Sequence, residues 1–155
     1  MNKAEAKEYL YQVSKQKRLI ERKQERVEEL LEHAASPGSI LYDDIKVQTS
    51  IDPGKNAELI AEEVDLQNEI VADIIILMEM IHERCNVIGM VDCLLHLEIL
   101  FEKYIKGETL EVIRQKIRKP GGEMYRYDHL SREHGNALAA VAEIMTKEKH
   151  NDQTT

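Results

Sequence analysis

Basic side chains cluster in the second half of the chain. The cluster comprises Lys103, Lys106, Arg114, Lys116, Arg118 and Lys119, and it continues with Arg126 and Arg132. Before Pro120 only Glu108 and Glu111 interrupt it. Lys and Arg at this density can neutralise phosphate groups, as they do in nucleic-acid binding. Basic residues at a helix end also solvate the helix and favour the negative end of its dipole. The cluster alone therefore leaves a phosphate-binding surface and an ordinary solvated surface open.

Two Cys–His pairs form the one arrangement that could bind a metal. His82 and Cys85 are three residues apart, as are Cys93 and His96, and Gly89 lies between the pairs. Four such ligands could make a Cys₂His₂ zinc site. The pairs are closer together than in zinc fingers, Cys85 belongs to an apolar helical series, and Cys93 precedes leucines. Buried free Cys commonly packs as a small hydrophobe. We therefore expect core packing, with neither a metal nor a cofactor.

Composition narrows the class of protein. The net charge of −8 over 155 residues provides no global positive field, so a DNA-binding protein of this composition must concentrate its basic residues locally. Two cysteines and a charged N-terminus favour a reducing, cytoplasmic compartment. The apolar run Ile74–Met78 is far shorter than the ~20 residues of a membrane span. A single Phe and no Trp leave few rings for stacking on single strands. Glycine-rich, G-x-S-x-G and H-E-x-x-H motifs are absent, so we expect a soluble protein that is not an enzyme.

The basic cluster lies within a segment, Asp92–Met145, that predicts three helices. The apolar side of the first helix is formed by Leu94, Leu95, Leu97, Leu100 and Phe101. Gly107 suits a helix C-terminus, and Thr109 suits the N-cap of the next helix. That short helix buries one face, formed by Leu110, Ile113 and Ile117. A Pro120–Gly122 break separates it from the last helix. Two short helices on a supporting helix predict a helix-turn-helix, whose last helix would enter a DNA major groove.

The segment LEILFEKYIKGETLEVIRQKI resembles the core of region 4 of bacterial sigma factors. More closely, the chain resembles small phage and prophage proteins of Gram-positive hosts, including the ArpU/RinA-type late transcription regulators. The N-terminal phrase of those proteins is matched by Ala6–Leu10, Lys17 and Ile20. Their C-terminal phrase is matched by Arg132, His134, Gly135, Ala137 and Leu138. The resemblance covers the chain from Ala6 to about Met145.

This resemblance implies a transcription regulator in the bacterial cytoplasm that binds double-stranded DNA and contacts host RNA polymerase. It places Lys116, Arg118 and Lys119 at phosphates and makes Tyr127, Arg132 and His134 face the groove, with Arg126 continuing the basic surface. Val112 and Arg114 stand where the family has Glu and a small Ala, so the capping box is absent. Several extra residues also lie between Ile117 and His134. These departures, with the acidic net charge, favour an alternative: a protein-interaction module (an adaptor, antirepressor or inhibitor of a host factor) that keeps the scaffold without reading DNA.

The first half of the chain predicts an antiparallel helical hairpin. The first helical series follows steps of three and four and includes two polar members, Lys17 and Gln24. Its apolar members are Leu10, Val13, Ile20, Val27, Leu31 and Ala34. The second series is Ala57, Ile60, Val64, Val71, Ile74, Met78, Ile81 and Cys85. Turn residues mark the linker between them, and Asn56 can cap the second helix. An antiparallel pairing places the acidic start of the second helix opposite the basic stretch Lys15–Arg26.

The predicted fold is therefore all-α. Residues 1–86 form the hairpin, with a linker at 35–55; residues 87–146 form the helix-turn-helix domain; residues 147–155 are a disordered tail. Ile74–Met78 is apolar on every side of its helix, so it must be covered on more than one side. The C-terminal helices or a second subunit can provide that cover. We expect a homodimer.

Overall fold

A computed structural model describes residues 1–35 and 53–152 as helices joined by short connections. The helices are α1 (Lys3–Ala35), α2 (Pro53–Gly89), α3 (Leu94–Leu100), α4 (Leu110–Lys116) and α5 (Tyr127–Asp152). One π-helical turn, Phe101–Ile105, follows α3 directly. Within the described ranges there is no β-strand, which confirms the all-α prediction. In those ranges, too, no helix combines the length and apolarity needed to cross a bilayer. Most of the predicted linker, residues 36–52, lies outside the described residues.

The helix ends follow local chemistry. α2 begins at Pro53, three residues before the predicted cap Asn56; proline suits a first helical position, where its missing N–H needs no partner. The predicted caps around α4 are confirmed. The Thr109 hydroxyl accepts a hydrogen bond from the Val112 backbone N–H at 3.4 Å. Gly107 has a φ of +82°, which lets the chain turn after the π-helical segment.

The chain divides into two compact units, whose boundaries differ from the predicted domains. Unit 1 combines Met1–Gln16 with Leu77–Thr155, and unit 2 is Lys17–Ile76. The first turns of α1 therefore pack with the C-terminal helices, whereas the prediction assigned all of α1 to the hairpin. The predicted tail is also shorter, since α5 remains helical as far as Asp152. Residues 153–155 lie outside the described part of the chain.

Unit 2 is an antiparallel pairing of α1 with α2. Lys23 donates to Asp73 at 2.6 Å and lies 3.1 Å from Glu69. One turn further along α1, Arg26 lies 3.2 Å from Glu62, which is earlier in α2. The partners on α2 thus move backwards as α1 advances. The predicted pairing of a basic with an acidic helix is confirmed.

The apolar face of α1 is close to its prediction. Ile20 and Val27 are buried as expected. Leu30 is 1% exposed, whereas the predicted member Leu31 is 45% exposed. The last step of the series is therefore three residues, from Val27 to Leu30, so the seam stays on the side of α1 that meets α2.

The predicted apolar series of α2 is wrong for this pairing. Ile60 and Val71 are 54% and 58% exposed. The side of α2 that meets α1 instead carries buried Ile70 and half-buried Asp73. Asp73 is tolerated there because the Lys23 ammonium satisfies its carboxylate. Periodicity favours the more apolar series, but the ion pair allows the mixed side of α2 to face α1.

The main core of unit 1 joins both termini of its sequence. Its buried residues are Ala6, Leu10, Val87, Ile88, Val91, Leu100, Tyr104, Ile105, Ala137, Leu138, Val141 and Ala142. Arg84 is only 5% exposed beside this core. It donates to Gln12 at 2.8 Å and to the Tyr9 carbonyl at 3.4 Å, and its guanidinium lies 4.0 Å from the centroid of the Tyr9 ring. Glu83 supplies its carboxylate partner at 2.7 Å.

A smaller core positions α4 and α5 against α3. Ile99, Ile113 and Leu130 are each fully buried and come from α3, α4 and α5 respectively. Half-buried Leu95, Leu110, Ile117 and Tyr125 pack around them. These three aliphatic side chains, one from each helix, hold α3, α4 and α5 together.

Candidate nucleic-acid interface

The connection between α4 and α5 is a small hairpin. It comprises the ten residues between Lys116, which ends α4, and Tyr127, which begins α5. Arg118 and Met124 form an isolated antiparallel bridge. The Lys119 N–H donates to the Glu123 carbonyl at 2.9 Å, and the Gly122 N–H donates back to the Lys119 carbonyl at 2.8 Å. We call residues 117–126 the basic hairpin. It replaces the three- or four-residue turn of an ordinary helix-turn-helix.

Three basic residues next to this hairpin are paired with acids. Lys116 Nζ lies 3.0 Å from Glu108 and 3.1 Å from Glu102. Hydrogen bonds to those two carboxylates raise the pKa of Lys116. Glu102 also pairs with Lys106 at 2.7 Å, and hydrogen bonding to Lys106 lowers the pKa of that carboxyl.

Arg114 is likewise paired, with Glu111 at 2.6 Å. Of the predicted phosphate contacts, Lys116 therefore has much of its charge compensated within the protein. Along the sequence, Glu108 and Glu111 only interrupt the basic cluster, and Glu102 directly precedes it. In the folded chain all three are ion-pair partners of its basic residues.

The basic residues of the hairpin itself are different. Arg118, Lys119 and Arg126 form no ion pair with any residue in 1–35 or 53–152. Arg118 and Arg126 are exposed, and Lys119 Nζ lies 5.8 Å from the centroid of the Tyr125 ring. Because Tyr125 packs on the small core, that ring fixes the hairpin to α3, α4 and α5. Three uncompensated cations are thus held together on one short, anchored hairpin.

The first turns of α5 extend this surface. Tyr127 is 48% exposed. Arg132 is exposed, and its guanidinium lies 3.1 Å from His129 Nδ1. The His129 ring in turn stacks on Tyr125, with centroids 5.5 Å apart and planes 10° apart. The sequence analysis missed His129. The spacing could have indicated it, because His129 lies four residues after Tyr125 and three before Arg132, which places the three side chains on neighbouring turns.

His134 does not share that surface. Its Nε2 lies 2.8 Å from the Tyr104 hydroxyl, and the two rings stack with centroids 5.8 Å apart. Burial, followed by the charges of Lys103 and Lys7, lowers the pKa of His134 to about 4. The ring is therefore neutral at pH 7 and is hydrogen-bonded to the Tyr104 hydroxyl, whose own pKa burial raises to about 12. The structure turns His134 toward the core, not outward as predicted, because Tyr104 offers a buried hydrogen-bond partner.

The Cys–His pairs do not converge. Among residues 1–35 and 53–152, no three or more His, Cys, Asp or Glu side chains are placed to hold a metal ion. His96 Nε2 lies 2.7 Å from Glu133, and this hydrogen bond lowers the pKa of Glu133. Cys85 packs against the main core of unit 1, as expected, and burial raises the pKa of its thiol. Cys93, expected beside core leucines, is exposed.

No protein-family model, curated protein or solved structure matches the chain significantly.

The basic hairpin and the start of α5 differ from the rest of the chain in their local charge. Residues 117–132 hold four basic side chains, Arg118, Lys119, Arg126 and Arg132, and two acidic ones, Glu123 and Asp128. A chain with a net charge of −8 thus carries a positive surface at the basic hairpin and the start of α5.

Proposed function

We propose that this chain is a phage-type transcription regulator that binds double-stranded DNA through the basic hairpin and the first turns of α5. The observation that carries the proposal is the selective pairing of charge. Lys106, Arg114 and Lys116 have carboxylate partners. The hairpin cations Arg118 and Arg126 have none among the described residues. Exposed cations without internal partners are available to phosphates, and neutralising phosphates supplies most non-specific affinity for DNA.

The helix order supports a docking geometry. In a helix-turn-helix, the last helix enters the major groove while neighbouring elements hold the backbone. Here α5 takes the place of that last helix, and the basic hairpin lies at its N-terminus. Arg132 and Asn136 are exposed side chains of α5, of the types that read guanine and adenine edges. We assign phosphate contacts to Arg118, Lys119 and Arg126 and base contacts to the α5 surface that includes Tyr127 and Arg132.

The resemblance of residues 97–117 to sigma region 4 extends the proposal to a protein partner. Region 4 of a sigma factor works on the surface of RNA polymerase, so host RNA polymerase in the bacterial cytoplasm is the partner this segment proposes. Its residues form α3, the π-helical turn and α4, and the small core built on α3 and α4 holds the hairpin through Tyr125. The basic hairpin would then contact DNA, while α3, the π-helical turn and α4 would contact the polymerase.

A protein-interaction module remains the alternative, and one observation favours it. The ten-residue connection between α4 and α5 departs from the tight turn of DNA-reading relatives. With Lys116 and Arg114 compensated internally, the scaffold could act as an adaptor, antirepressor or inhibitor of a host factor without touching DNA. The transcription regulator requires the positive charges of the basic hairpin for DNA affinity, whereas the protein-interaction module has no such affinity.

The test is salt-dependent DNA binding by the purified full-length chain, using fragments from its own genomic neighbourhood. Three phosphate contacts predict a slope of log K against log salt near −3, at about −0.9 per phosphate. Arg118→Glu with Arg126→Glu should reduce the steepness by about 2 and lower affinity at least ~10-fold at low salt. The matched control is Lys3→Glu with Arg22→Glu, which changes net charge equally at exposed residues of α1.

Each outcome separates the functions. Binding of one preferred fragment, lost in the hairpin variant and kept in the control, supports the regulator. Equal losses in both variants would mean that only overall charge matters, which contradicts a site at the hairpin. Absence of binding at ~20 mM salt, where phosphate contacts are strongest, rejects DNA binding and leaves the protein-interaction module.

A further inference from the structure

Helix α2 carries an apolar stripe that the described residues of unit 2, 17–35 and 53–76, leave exposed. Its members, which we call the α2 stripe, are Ile60, Val64, Val71, Ile74 and Ile75. Their exposed fractions run from 38% for Ile74 to 58% for Val71. Five half-exposed aliphatic side chains on one helix amount to an apolar patch on the order of 500 Å², at the upper end of what a typical monomer exposes.

The stripe has the pattern of a helix-packing seam. Ile60, Val64, Gln67, Val71 and Ile74 follow one another at alternating steps of four and three. This spacing keeps side chains on the line along which a second helix packs. The side of α2 that meets α1 is less apolar, since it includes Asp73 paired with Lys23. The chain therefore buries its mixed face internally and leaves its better seam open.

We propose that the α2 stripe pairs with the same stripe of a second copy of this chain, in antiparallel orientation. An isologous interface requires a surface that is complementary to itself under a two-fold rotation. The stripe meets this requirement about an axis near Gln67 and Asn68. Ile60 of one copy then lies near Ile74 and Ile75 of the other.

The same axis matches the remaining members. Val64 of one copy lies near Val71 of the other, and Gln67 and Asn68 lie at the centre, where the Gln67 amide also donates to Glu63 of its own helix at 3.0 Å. A polar pair in the middle of an apolar seam fixes register. An unrelated partner would have no reason to require this mirrored order of isoleucine, valine, amide, valine and isoleucine.

Charge selects the antiparallel orientation. Glu63, whose carboxylate accepts a hydrogen bond from the Gln67 side chain at 3.0 Å, borders the N-terminal half of the stripe. The acids of the other half, Glu69 and Asp73, are already paired with Lys23. A parallel pair would bring each acid next to its own copy, and like charges at an interface oppose association. The antiparallel pair places the acidic half against the neutral half.

The available area fits a modest dimer. A stable interface buries roughly 800 Å² on each partner, and the stripe supplies more than half of that. Polar side chains that border the stripe, including Glu63, can supply the rest as the rim of the interface. We therefore expect a dimer whose population depends on protein concentration.

The first test measures molar mass by sedimentation equilibrium across a concentration series. The full-length chain should form dimers, and Val71→Glu should be monomeric at concentrations at least ~10-fold higher, because a charge would be buried at the seam. The control is Leu19→Glu on α1, which changes a side chain of similar exposure (43%) outside the stripe. Circular dichroism verifies that both variants stay helical. A monomeric wild type, an unaffected Val71→Glu dimer or an equally dissociated Leu19→Glu would each overturn the proposal.

The second test measures orientation by disulfide cross-linking in a Cys85→Ala, Cys93→Ser background. In the antiparallel pair, Gln67→Cys lies beside its counterpart and should form a disulfide-linked dimer. Ile60→Cys should not, since its two copies would be about 22 Å apart along the helix at 1.5 Å per residue, and a disulfide spans at most ~7 Å between Cα atoms. Cross-linking of both variants would establish a parallel pair and overturn the orientation. Cross-linking of neither would overturn the interface. Both readouts are independent of DNA.

Discussion

Replacing His134 by Gln should flatten the acid side of the stability profile. In the folded chain His134 is half-buried and hydrogen-bonded to the Tyr104 hydroxyl, and Lys103 and Lys7 are the charges that act on it. Burial is the largest cause that lowers its pKa from 6.5 to about 4. The unfolded chain therefore binds this proton more readily than the folded chain. His134 contributes its full stability above pH 6.5, and that contribution falls as the pH drops from 6.5 toward 4.

The two pKa values set the size of the effect. For a completely buried ring, lowering the pKa of His134 from 6.5 to about 4 would remove about 2 kcal/mol of unfolding free energy between pH 7 and pH 5. Partial exposure of the ring to solvent reduces this to about 1 kcal/mol. In a chain of this length, 1 kcal/mol moves the melting temperature by about 2–4 °C. Gln can still accept the Tyr104 hydroxyl proton, but it does not titrate.

The assay is thermal unfolding of wild type and His134→Gln from pH 7.5 to pH 4.5. The wild type should lose about 2–4 °C more than the variant between pH 7 and pH 5. His33→Gln, at an exposed residue of α1, is the control and should keep the wild-type profile. Parallel profiles for wild type and His134→Gln, or an NMR titration of His134 with a midpoint near 6.5, would refute the buried, neutral histidine. DNA affinity, in turn, should show no protonation step near pH 6.5 from this residue.

Two further substitutions test the packing around the site. Gly107→Ala should destabilise the chain by about 1–2 kcal/mol in urea unfolding, because its φ of +82° is unfavourable for any residue with a Cβ. Gly89 has a negative φ and open space where a Cβ would be added, so Gly89→Ala should be neutral or slightly stabilising. Similar losses of stability in both variants would contradict the argument from the φ of Gly107. Arg84→Leu should cost about 1–3 kcal/mol by the same measurement, since it removes the donor to the Gln12 side chain and the guanidinium that lies over the Tyr9 ring. An unchanged midpoint would show that Arg84 is dispensable.

Local chemistry was predictable from sequence wherever a few neighbouring residues determine it. Thr109 caps α4 and Gly107 turns the chain, because a hydroxyl at an N-cap and a missing Cβ act within one turn of backbone. The charge match of α1 with α2 was also predictable, since it depends on composition over several turns. Lys23 and Arg26 meet acids on α2 without any need for exact register.

The facing side of α2 was not predictable by the same means. Two overlapping series run along this helix, and periodicity selects the more apolar one. The structure pairs α1 with the other series because Lys23 satisfies Asp73, a compensation that no pattern along a single helix reveals. The start of α2 at Pro53 and the helical end of α5 were missed for a related reason, since both depend on how far packing extends a helix beyond its strongest signals.

At the candidate site, sequence identified the charged cluster but could not show which charges remain available. Lys116 and Glu102 are fourteen residues apart, and only the packing of α4 behind the π-helical turn brings them to 3.1 Å. His134 and Tyr104 are thirty residues apart and meet at 2.8 Å. A count of basic residues therefore includes side chains that the fold has already compensated or buried.

The pairing of charges also supports the proposed DNA-binding surface. The carboxylates Glu102, Glu108 and Glu111 compensate Lys106, Lys116 and Arg114. Glu123, the hairpin's own acid, contributes its backbone carbonyl to the turn at Lys119, and Arg118 has no ion pair among the described residues. Cations without internal partners add no stability to the isolated chain, so we propose that the Tyr125-anchored hairpin presents them to an external anion. Under that proposal, a phosphate backbone supplies the closely spaced charges that three neighbouring cations can neutralise together.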